Sequence, residues 1–248
     1  MTGALIDRIA VVTGAAVGIG RASAVALCEA GAFVYLLDID AARGEKVTKD
    51  IKRARFIRCD VTSEAEVKAA AAQIGTESGR VDVLLNNAGG FVAQRDLQGT
   101  TLKEWQQILD LNLTSVFLVT RALLPLLRLS ASGRVINMGS LAGQTPRDRT
   151  APPYAAAKAG VHALTRVMAS EFAGEGITVN ALAPSAVLTE RIQSVRSEAE
   201  RVATAESIPL RRYQTPDEIA RWVLFLASDD AGFMTGETVS VNGGRFMA

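Results

Sequence analysis

The chain has 248 residues, of which 48% are hydrophobic, and its formal net charge is +1. A chain of this length and composition can bury a large core, and α/β chains of this size commonly form one domain. The near-neutral charge and the absence of a Lys/Arg block argue against nucleic acid or an anionic membrane as the main partner, so we expect a small-molecule ligand.

The termini and the apolar stretches predict a cytoplasmic protein. The segment 1–8 lacks the basic start and long apolar run of a secretory signal. The most apolar region, 109–129, is interrupted by polar and charged residues, which argues against a membrane span; these are Asp110, Asn112, Arg121 and Arg128. Cys28 and Cys59 are interpreted as core thiols and His162 as a packed helix residue, so no metal site is expected.

Seven short apolar runs alternate with longer helical patterns along the chain, which is typical of a parallel sheet with helices on both faces. Their nearly continuous apolar character fits strands buried on both sides. The predicted strands are 9–13, 33–37, 55–59, 81–85, 134–138, 177–181 and 238–241. Ser63 with Glu66 predicts a capping box at one helix start, and T-P-D-E at 215–218 predicts another helix start with a proline at its first position. The expected fold is one Rossmann-type, doubly wound α/β domain spanning 1–248.

The first predicted strand runs into T-G-A-A-V-G-I-G, residues 13–20, followed by an Ala-rich helix. Glycines there allow a tight turn, close approach of backbone N–H groups to a pyrophosphate, and a helix N-terminus facing its negative charge. The spacing G-x-x-x-G-x-G departs from the fingerprint G-x-G-x-x-G. A glycine-rich turn without a ligand is the alternative, but the strand before and the helix after favour a dinucleotide.

Asp38 ends the second predicted strand. A carboxylate there can accept hydrogen bonds from both hydroxyls of an adenosine ribose and would repel a 2′-phosphate, so NAD is favoured over NADP. Val17 and Ile39 are apolar where a phosphate site would benefit from a cation. Arg43 is the nearby cation that would weaken this inference. Asp38 could instead cap a helix, a role that Asp40 could fill equally well.

Tyr154 and Lys158 lie four residues apart on a predicted helix and therefore share one face. A fixed positive charge near a phenol favours the phenolate, so Lys158 is expected to lower the pKa of Tyr154. Tyr154 would then serve as a general acid and base. Taken alone, an exposed helix with an incidental Tyr and Lys is the better explanation of the pair.

Several motifs together, in this order and at these separations, resemble the short-chain dehydrogenase/reductase family over essentially the whole chain. The motifs are T-G-x-x-x-G-I-G, N-N-A-G at 86–89, L-N-L around Asn112, N-M-G-S-L-A-G around Ser140, Y-x-x-x-K at Tyr154, N-A-L-A-P ending at Pro184, and the closing T-G-E-T-V-S-V-N-G-G. Within the family the chain is most similar to the group of 3-oxoacyl carrier-protein reductases and many sugar, polyol and secondary-alcohol dehydrogenases.

The resemblance implies four catalytic residues. Tyr154 would exchange a proton with the substrate oxygen, and Ser140 would hydrogen-bond that oxygen. Lys158 would lower the pKa of Tyr154 and hydrogen-bond the nicotinamide ribose. Asn112 would hold a water that links Lys158 to solvent; a buried Asn satisfied by its protein partners is the alternative for this residue.

The resemblance also implies the cofactor contacts. The predicted cofactor-binding residues are Gly14, Val17, Gly18, Ile19, Gly20, Asp38, Ile39, Asp60, Val61, Asn87, Ala88, Gly89, Tyr154, Lys158, Pro184, Val187 and Thr189. Asn86, with Ala88 and Gly89, is expected beside the adenosine ribose and as support for the central sheet. Asp60 is expected at the adenine, although it could equally belong to the cap of the following helix.

The chain departs from the family pattern at three places. Ser185 replaces a glycine common after the proline, the 14-residue separation of Ser140 and Tyr154 is about one longer than usual, and 211–213 occupies a place where relatives often have glycine. The segment 188–210 is polar and long for a connection, which predicts a substrate lid. Arg95, Arg147 and Arg149 could bind an anionic group of the substrate or be solvated surface charge.

The expected function is hydride transfer between NAD(H) and a secondary alcohol or ketone. The alternatives are an NADPH-dependent 3-oxoacyl-thioester reductase and, from another class, a non-catalytic nucleotide-binding sensor or scaffold. The helices predicted over 101–129 and 154–172 are apolar on more than one side, which predicts a symmetric partner. The family resemblance implies a homotetramer.

Overall fold

Seven parallel strands form one sheet in the order β3-β2-β1-β4-β5-β6-β7. The computed structural model of the chain describes residues 4–90, 95–145 and 150–247. The strands are β1 Ile9–Thr13, β2 Phe33–Asp38, β3 Ala54–Arg58, β4 Val83–Asn86, β5 Arg134–Met138, β6 Thr178–Pro184 and β7 Thr238–Val241. All seven predicted strands are confirmed, and the order of a doubly wound sheet follows from right-handed crossovers on either side of β1.

Nine α-helices are present in the described part of the chain. They are α1 Gly18–Glu29, α2 Ala41–Asp50, α3 Glu64–Ser78, α4 Leu102–Leu109, α5 Ser115–Leu127, α6 Pro152–Phe172, α7 Glu190–Val195, α8 Glu198–Glu206 and α9 Pro216–Ala227. The helix start predicted at Pro216 is confirmed in α9, where Thr215 and Glu218 also form a capping box. The box predicted at Ser63 is only half formed: Ser63 caps Glu66 N–H, but the Glu66 carboxylate instead accepts from the N–H of Asp60 at 2.9 Å.

Each face of the sheet carries its own apolar core. Successive side chains of β1 point to opposite faces of the sheet. Val12 packs in the cluster beneath α1 and α9, and Val11 packs in the cluster beneath α3, α5 and α6. Both clusters contain many side chains that are fully buried. Strands covered on both faces must be apolar at nearly every position, which explains why the sequence pattern located them so closely.

A π-helical turn, Asp110–Thr114, joins α4 to α5, so the predicted long helix is continuous but irregular in its middle. The combined helix Leu102–Leu127 is long and apolar enough to cross a membrane, with a mean hydropathy of 1.4. Its α5 part packs into the core beneath α3, α5 and α6 through Val116, Val119 and Leu123. That burial accounts for its hydropathy, since core helices of soluble domains share this composition.

Candidate active site

A large cleft of about 1490 Å³ opens where the strands end. Residues directly after β1, β2, β3, β4, β5 and β6 line it. This is the place where open parallel sheets bind their ligands, beyond the carboxyl ends of the strands. The cleft brings together most of the predicted site: Ser140 and every predicted cofactor-binding residue except Gly20 line it.

The glycine turn is built to approach a ligand closely. Gly14 and Gly18 have φ values of 62° and 56°, a left-handed conformation that favours glycine. A Cβ on Gly14 would lie 2.9 Å from the Cα of Ala88. The start of α1 has no side-chain cap at Val17, so its first N–H groups remain available to an anion. These features fit the pyrophosphate of a dinucleotide.

Gly20 is a cofactor contact in the sequence prediction, whereas the structure places it behind the cleft. A Cβ at this position would overlap the carbonyl oxygen of Gly14 and lie 2.6 Å from Nδ2 of Asn87. Gly20 is therefore needed so that α1 can pack against the turn, the third role expected of such glycines.

Thr13 and Asn87 clamp the ends of β1 and β4 together. The hydroxyl of Thr13 accepts hydrogen bonds from the N–H groups of Asn87 and Ala88, both at 3.0 Å. Nδ2 of Asn87 donates to the carbonyls of Thr13 and Gly14 at 2.9 and 3.0 Å. The clamp fixes the backbone of the glycine turn where a cofactor would lie.

Asn86 does not line the cleft and instead joins strands and helix inside the sheet. Its Nδ2 donates at 2.9 Å both to Oγ1 of Thr120 and to Oδ1 of Asn137. The position beside a ribose expected for Asn86 is therefore wrong, whereas its expected support of the central sheet is what these bonds provide.

Asp38 faces the cleft, and its carboxylate is held by backbone. It accepts from the N–H of Ala16 at 2.9 Å and from the N–H of Asp40 at 3.0 Å, one bond on each oxygen. Each oxygen keeps one lone pair for a further donor. Asp40, not Asp38, caps α2 through the N–H of Arg43, and Arg43 pairs with Asp40 at 3.5 Å. The cap alternative for Asp38 is thus wrong.

Asp60 shapes the turn before α3 and also lines the cleft. Its Oδ1 accepts from the N–H and the hydroxyl of Thr62 at 2.9 and 2.7 Å, which shapes the turn before α3. Asp60 also lines the cleft with Val61. A turn residue and a candidate adenine contact are therefore compatible at this position.

Ser140 and Tyr154 meet at the wall of the cleft. Ser140 follows β5 and begins a short 3₁₀ turn, where its hydroxyl accepts from the N–H of Ala142 at 3.2 Å. A side-chain hydrogen bond joins it to the hydroxyl of Tyr154. Burial raises the pKa of Tyr154 above its ordinary value, while the Ser140 bond and the positive charge of Arg191 act to lower it.

Lys158 is buried, and its Nζ donates to the carbonyl oxygen of Met138 at 2.7 Å. The same Nζ lies 5.7 Å from the ring centroid of Tyr154. Burial lowers the pKa of Lys158 to about 8. The expectation that Lys158 brings the pKa of Tyr154 below its ordinary value is wrong in this structure, because burial dominates at Tyr154 and the cation that acts on it is Arg191.

Asn112 lies in the π-helical turn and is fully buried. Its side chain forms reciprocal hydrogen bonds with Gly90, accepting at 2.9 Å and donating at 2.8 Å, and it donates again to the carbonyl of Ile108 at 2.9 Å. Both amide hydrogens are therefore used, as the satisfied-core alternative expects. A water relay at Asn112 stays a prediction.

The arginines that reach the cleft differ from those suspected in the sequence. Arg95 pairs with Glu104 at 2.9 Å, and Arg147 and Arg149 lie outside the described residues. Arg191, Arg196 and Arg245 line the cleft instead. Their only signal in the sequence is their charge, within the segment 188–210 and near the C-terminus.

Two of the departures from the family pattern have visible structural consequences. The hydroxyl of Ser185 donates to the carbonyl of Asn242 at 3.0 Å, which ties the loop after β6 to the residue that follows β7. Arg211 has a φ of 55°, so this chain places a bulky side chain in a conformation that favours glycine.

Neither cysteine forms a disulfide. Cys59 is buried and Cys28 is partly buried, and burial raises the pKa of their thiols to about 11 and about 12. Within residues 4–90, 95–145 and 150–247, no group of three or more His, Cys, Asp or Glu side chains has a metal-binding arrangement. Both thiols are too basic to be reactive nucleophiles at neutral pH.

Comparison with known proteins identifies the family. A family model described as enoyl-(acyl carrier protein) reductase matches residues 14–245. The chain is 38% identical over 244 residues to the 3-oxoacyl-[acyl-carrier-protein] reductase FabG of Vibrio harveyi, covering 98% of this chain and 99% of the relative. It is 37% identical over 246 residues to the acetoacetyl-CoA reductase of Rhizobium meliloti, covering 98% and 100%.

A solved structure shares both the fold and the sequence pattern. The Pseudomonas aeruginosa RhlG/NADP active-site complex superposes with a TM-score of 0.92 at 35% identity, covering 99% of each chain. These matches span nearly the whole length of the chain and agree with its sheet order and its cleft. The chain belongs to the short-chain dehydrogenase/reductase family, the oxidoreductases that use a nicotinamide dinucleotide.

Proposed function

We propose that the chain reduces the 3-oxo group of an acyl thioester to a hydroxyl. The observation that carries the chemistry is the hydrogen-bonded pair of Ser140 and Tyr154 in the wall of the cleft. The substrate class is supported by the relatives, whose names describe reductases of 3-oxoacyl carrier protein and of acetoacetyl-CoA. This alternative is better supported than the secondary-alcohol function expected from the sequence.

The cofactor would be held by the glycine turn, the N-terminus of α1 and Asp38. When bound it would supply the hydride; the chain supplies orientation and the proton. Ser140 would donate a hydrogen bond to the substrate oxygen, and Tyr154 would deliver its hydroxyl proton to that oxygen as negative charge develops there. The raised pKa of Tyr154 keeps it protonated at neutral pH, as a general acid for reduction requires.

We further propose that NADH binds more tightly than NADPH. Asp38 presents a carboxylate at the end of β2, with a lone pair free on each oxygen, and it would repel a 2′-phosphate. Among the described residues, the cations that line the cleft belong to α6, α7, residue 196 and the C-terminus, and none to the segments around Asp38 or Asp60. The P. aeruginosa relative forms its active-site complex with NADP, which favours the opposite preference, so this point needs its own test.

The decisive assay follows absorbance at 340 nm while acetoacetyl-CoA is reduced with NADH or NADPH. Turnover is expected with the wild-type chain and a loss of at least about a hundredfold in Tyr154→Phe, which lacks the transferable proton. A panel of secondary alcohols, sugars and polyols runs in parallel. Turnover on that panel without reduction of acetoacetyl-CoA would contradict the proposed substrate class.

The cofactor preference is tested with Asp38→Asn, which removes the charge and keeps the shape. The KM for NADPH should fall relative to that for NADH by about tenfold, the effect expected from removing one like charge near a phosphate. Asp40→Asn is the matched control, because Asn also caps helices and Asp40 does not line the cleft. A wild-type preference for NADPH would refute the role given to Asp38.

A second candidate is an NAD-dependent secondary-alcohol dehydrogenase, which Asp38 favours equally. It predicts oxidation of small secondary alcohols with NAD and little reduction of the thioester. The same panel separates the two candidates, since they share the cofactor and differ in the substrate.

We propose that α7 and α8, within 188–210, form a lid over the substrate. Thr189 caps α7 and lies against the glycine turn: a Cβ on Gly18 would be 3.2 Å from its Cγ2. Arg191, which belongs to this segment, carries a positive charge that acts to lower the pKa of Tyr154. Closure should appear as slower proteolysis of the segment when cofactor and substrate analogue are both bound; equal cleavage in the free and bound chain would contradict the lid.

We also propose self-association through the central helices. Phe117 on α5 and Val167 on α6 are 45% and 60% exposed, although each belongs to a helix whose other side is core. A symmetric partner would cover them. Light scattering should give a multiple of the chain mass of 26.2 kDa, with the tetramer expected, and a monomeric mass would contradict this proposal.

A further inference from the structure

His162 contacts the loop 139–143, which carries Ser140. The ring is buried on α6, and its Nε2 accepts a hydrogen bond from the backbone N–H of Ser140 at 3.4 Å. The backbone of Gly143, at the far end of the same loop, bonds to the ring as well. Because Nε2 accepts, the proton of the neutral ring lies on Nδ1.

The loop is packed so closely onto α6 that side chains are excluded at both of its glycines. A Cβ on Gly139 would overlap Nε2 of His162 and lie 3.0 Å from the carbonyl oxygen of Leu182. A Cβ on Gly143 would lie 2.6 Å from the backbone nitrogen of Ala159. The imidazole therefore fills the space under the loop, in direct contact with its backbone.

We propose that His162 is a positioning residue that fixes Ser140 for catalysis. Two hydrogen bonds restrain Ser140: its hydroxyl accepts from the N–H of Ala142, and its backbone N–H donates to Nε2 of His162. An apolar side chain at 162 would leave a buried N–H without an acceptor, and the loop would shift to satisfy it. The ring suits this task because burial lowers the pKa of His162 to about 4, so it stays a neutral acceptor.

This inference rests on the proposed role of Ser140, and the first test measures whether His162 acts through that residue. His162→Leu should lower kcat by about fivefold, which is the fold-change that corresponds to the net free energy of one hydrogen bond. The KM for the cofactor should stay within about twofold of the wild-type value. His162→Gln, whose side-chain oxygen can accept the same bond, should restore most of kcat. Equal losses in the Leu and Gln variants would overturn the proposal.

A double-mutant cycle separates positioning from general damage to the fold. In a Ser140→Ala background, His162→Leu should lower kcat by less than about twofold, because the group that it positions is already absent. Val161→Ala, on the same helix and in the apolar core beneath α6, is the control for lost packing and should lower the melting temperature without lowering kcat. Fully additive losses in the cycle would overturn the proposal.

A second readout does not depend on turnover. Exchange of the Ser140 amide proton, followed by NMR in the full chain, should be at least about fivefold faster in His162→Leu and near the wild-type rate in His162→Gln. Unchanged exchange in His162→Leu would overturn the proposal even in an active enzyme. If the wild-type chain reduces no thioester, the proposed function fails, and amide exchange still decides whether His162 holds the Ser140 backbone.

Discussion

Replacing Lys158 by Met should stabilise the chain at neutral pH while it abolishes turnover. The ammonium of Lys158 is buried, with the carbonyl of Met138 as its hydrogen-bond acceptor. Burial disfavours the charged form, which is why the pKa of Lys158 falls to about 8 from an ordinary value of 10.5. Below pH 8 the Lys158 side chain is charged in both the folded and the unfolded chain. The folded chain therefore bears the full free-energy cost of burying that charge.

The size of the effect follows from the two pKa values. At about 1.4 kcal/mol per pKa unit, burying the charge costs the folded state about 3 kcal/mol at pH 7. Methionine has a similar length and removes this cost, but it leaves the Met138 carbonyl without a donor, a loss of about 1–2 kcal/mol. The net gain expected for Lys158→Met at pH 7 is therefore about 1–2 kcal/mol.

The sign of the pH dependence gives a sharper test. Between pH 8 and 10.5 the unfolded chain holds the proton that the folded chain has lost, so wild-type stability rises relative to the variant. At pH 9.5 the cost of burial has fallen to about 1 kcal/mol, and the advantage of Lys158→Met should vanish.

Urea unfolding at pH 7 and pH 9.5, at one protein concentration, measures both differences. Lys68→Met is the control, because Lys68 is exposed and pairs with Glu64 on the helix surface; its effect should stay within about 0.5 kcal/mol at either pH. A Lys158→Met variant that is less stable than the wild type at pH 7, or a gain that does not shrink at pH 9.5, would refute the reasoning.

Three further predictions concern single side chains. Arg211→Gly should relieve a left-handed backbone and raise the melting temperature by about 2–3 °C in a calorimetric scan, and a decrease would contradict the strain. Arg191→Met removes a charge that lowers the pKa of Tyr154, so the pH profile of kcat/KM for alcohol oxidation, which needs the phenolate, should move to higher pH; Arg191→Lys should leave it in place. Thr215→Ala breaks the capping box of α9 and should cost about 1 kcal/mol in urea unfolding, whereas an unchanged midpoint would mean that the cap adds nothing.

The sheet could be predicted from the sequence because its physical cause is local. The central strands are covered on both faces and are mostly apolar, and short apolar runs between helical patterns located all seven strands, including the partly exposed edge strands β3 and β7. Motif spacing likewise located the cleft, since residues that follow parallel strands must meet at one edge of the sheet. Gly14, Asp38, Ser140 and Tyr154 all line that edge.

Contacts between distant segments were beyond the reach of the sequence. The carbonyl that binds Lys158 lies 20 residues earlier in the chain, so the sequence suggested only the pairing with Tyr154, four residues away. Glu66 accepts from the N–H of Asp60 because its expected capping partner, the N–H of Ser63, already donates to the carbonyl of Asp60, a local bond that the capping pattern does not specify. No sequence signal marks the π-helical turn at Asp110–Thr114. A π turn adds one residue to a helical turn, and over a short stretch this hardly changes the spacing of apolar residues.

Gly89 shows how a motif residue can be required by partners that the motif does not contain. A Cβ at this position would lie 2.7 Å from Oδ1 of Asn112 and 3.3 Å from Nζ of Lys158. The π-helical turn brings Asn112 to this point, where its amide holds both backbone groups of Gly90. The end of β4, the irregular helix and the Tyr154 helix therefore converge on one position without a side chain. In the predicted relay Asn112 would hold the water that links Lys158 to solvent, so a side chain at position 89 would press on both residues of that relay.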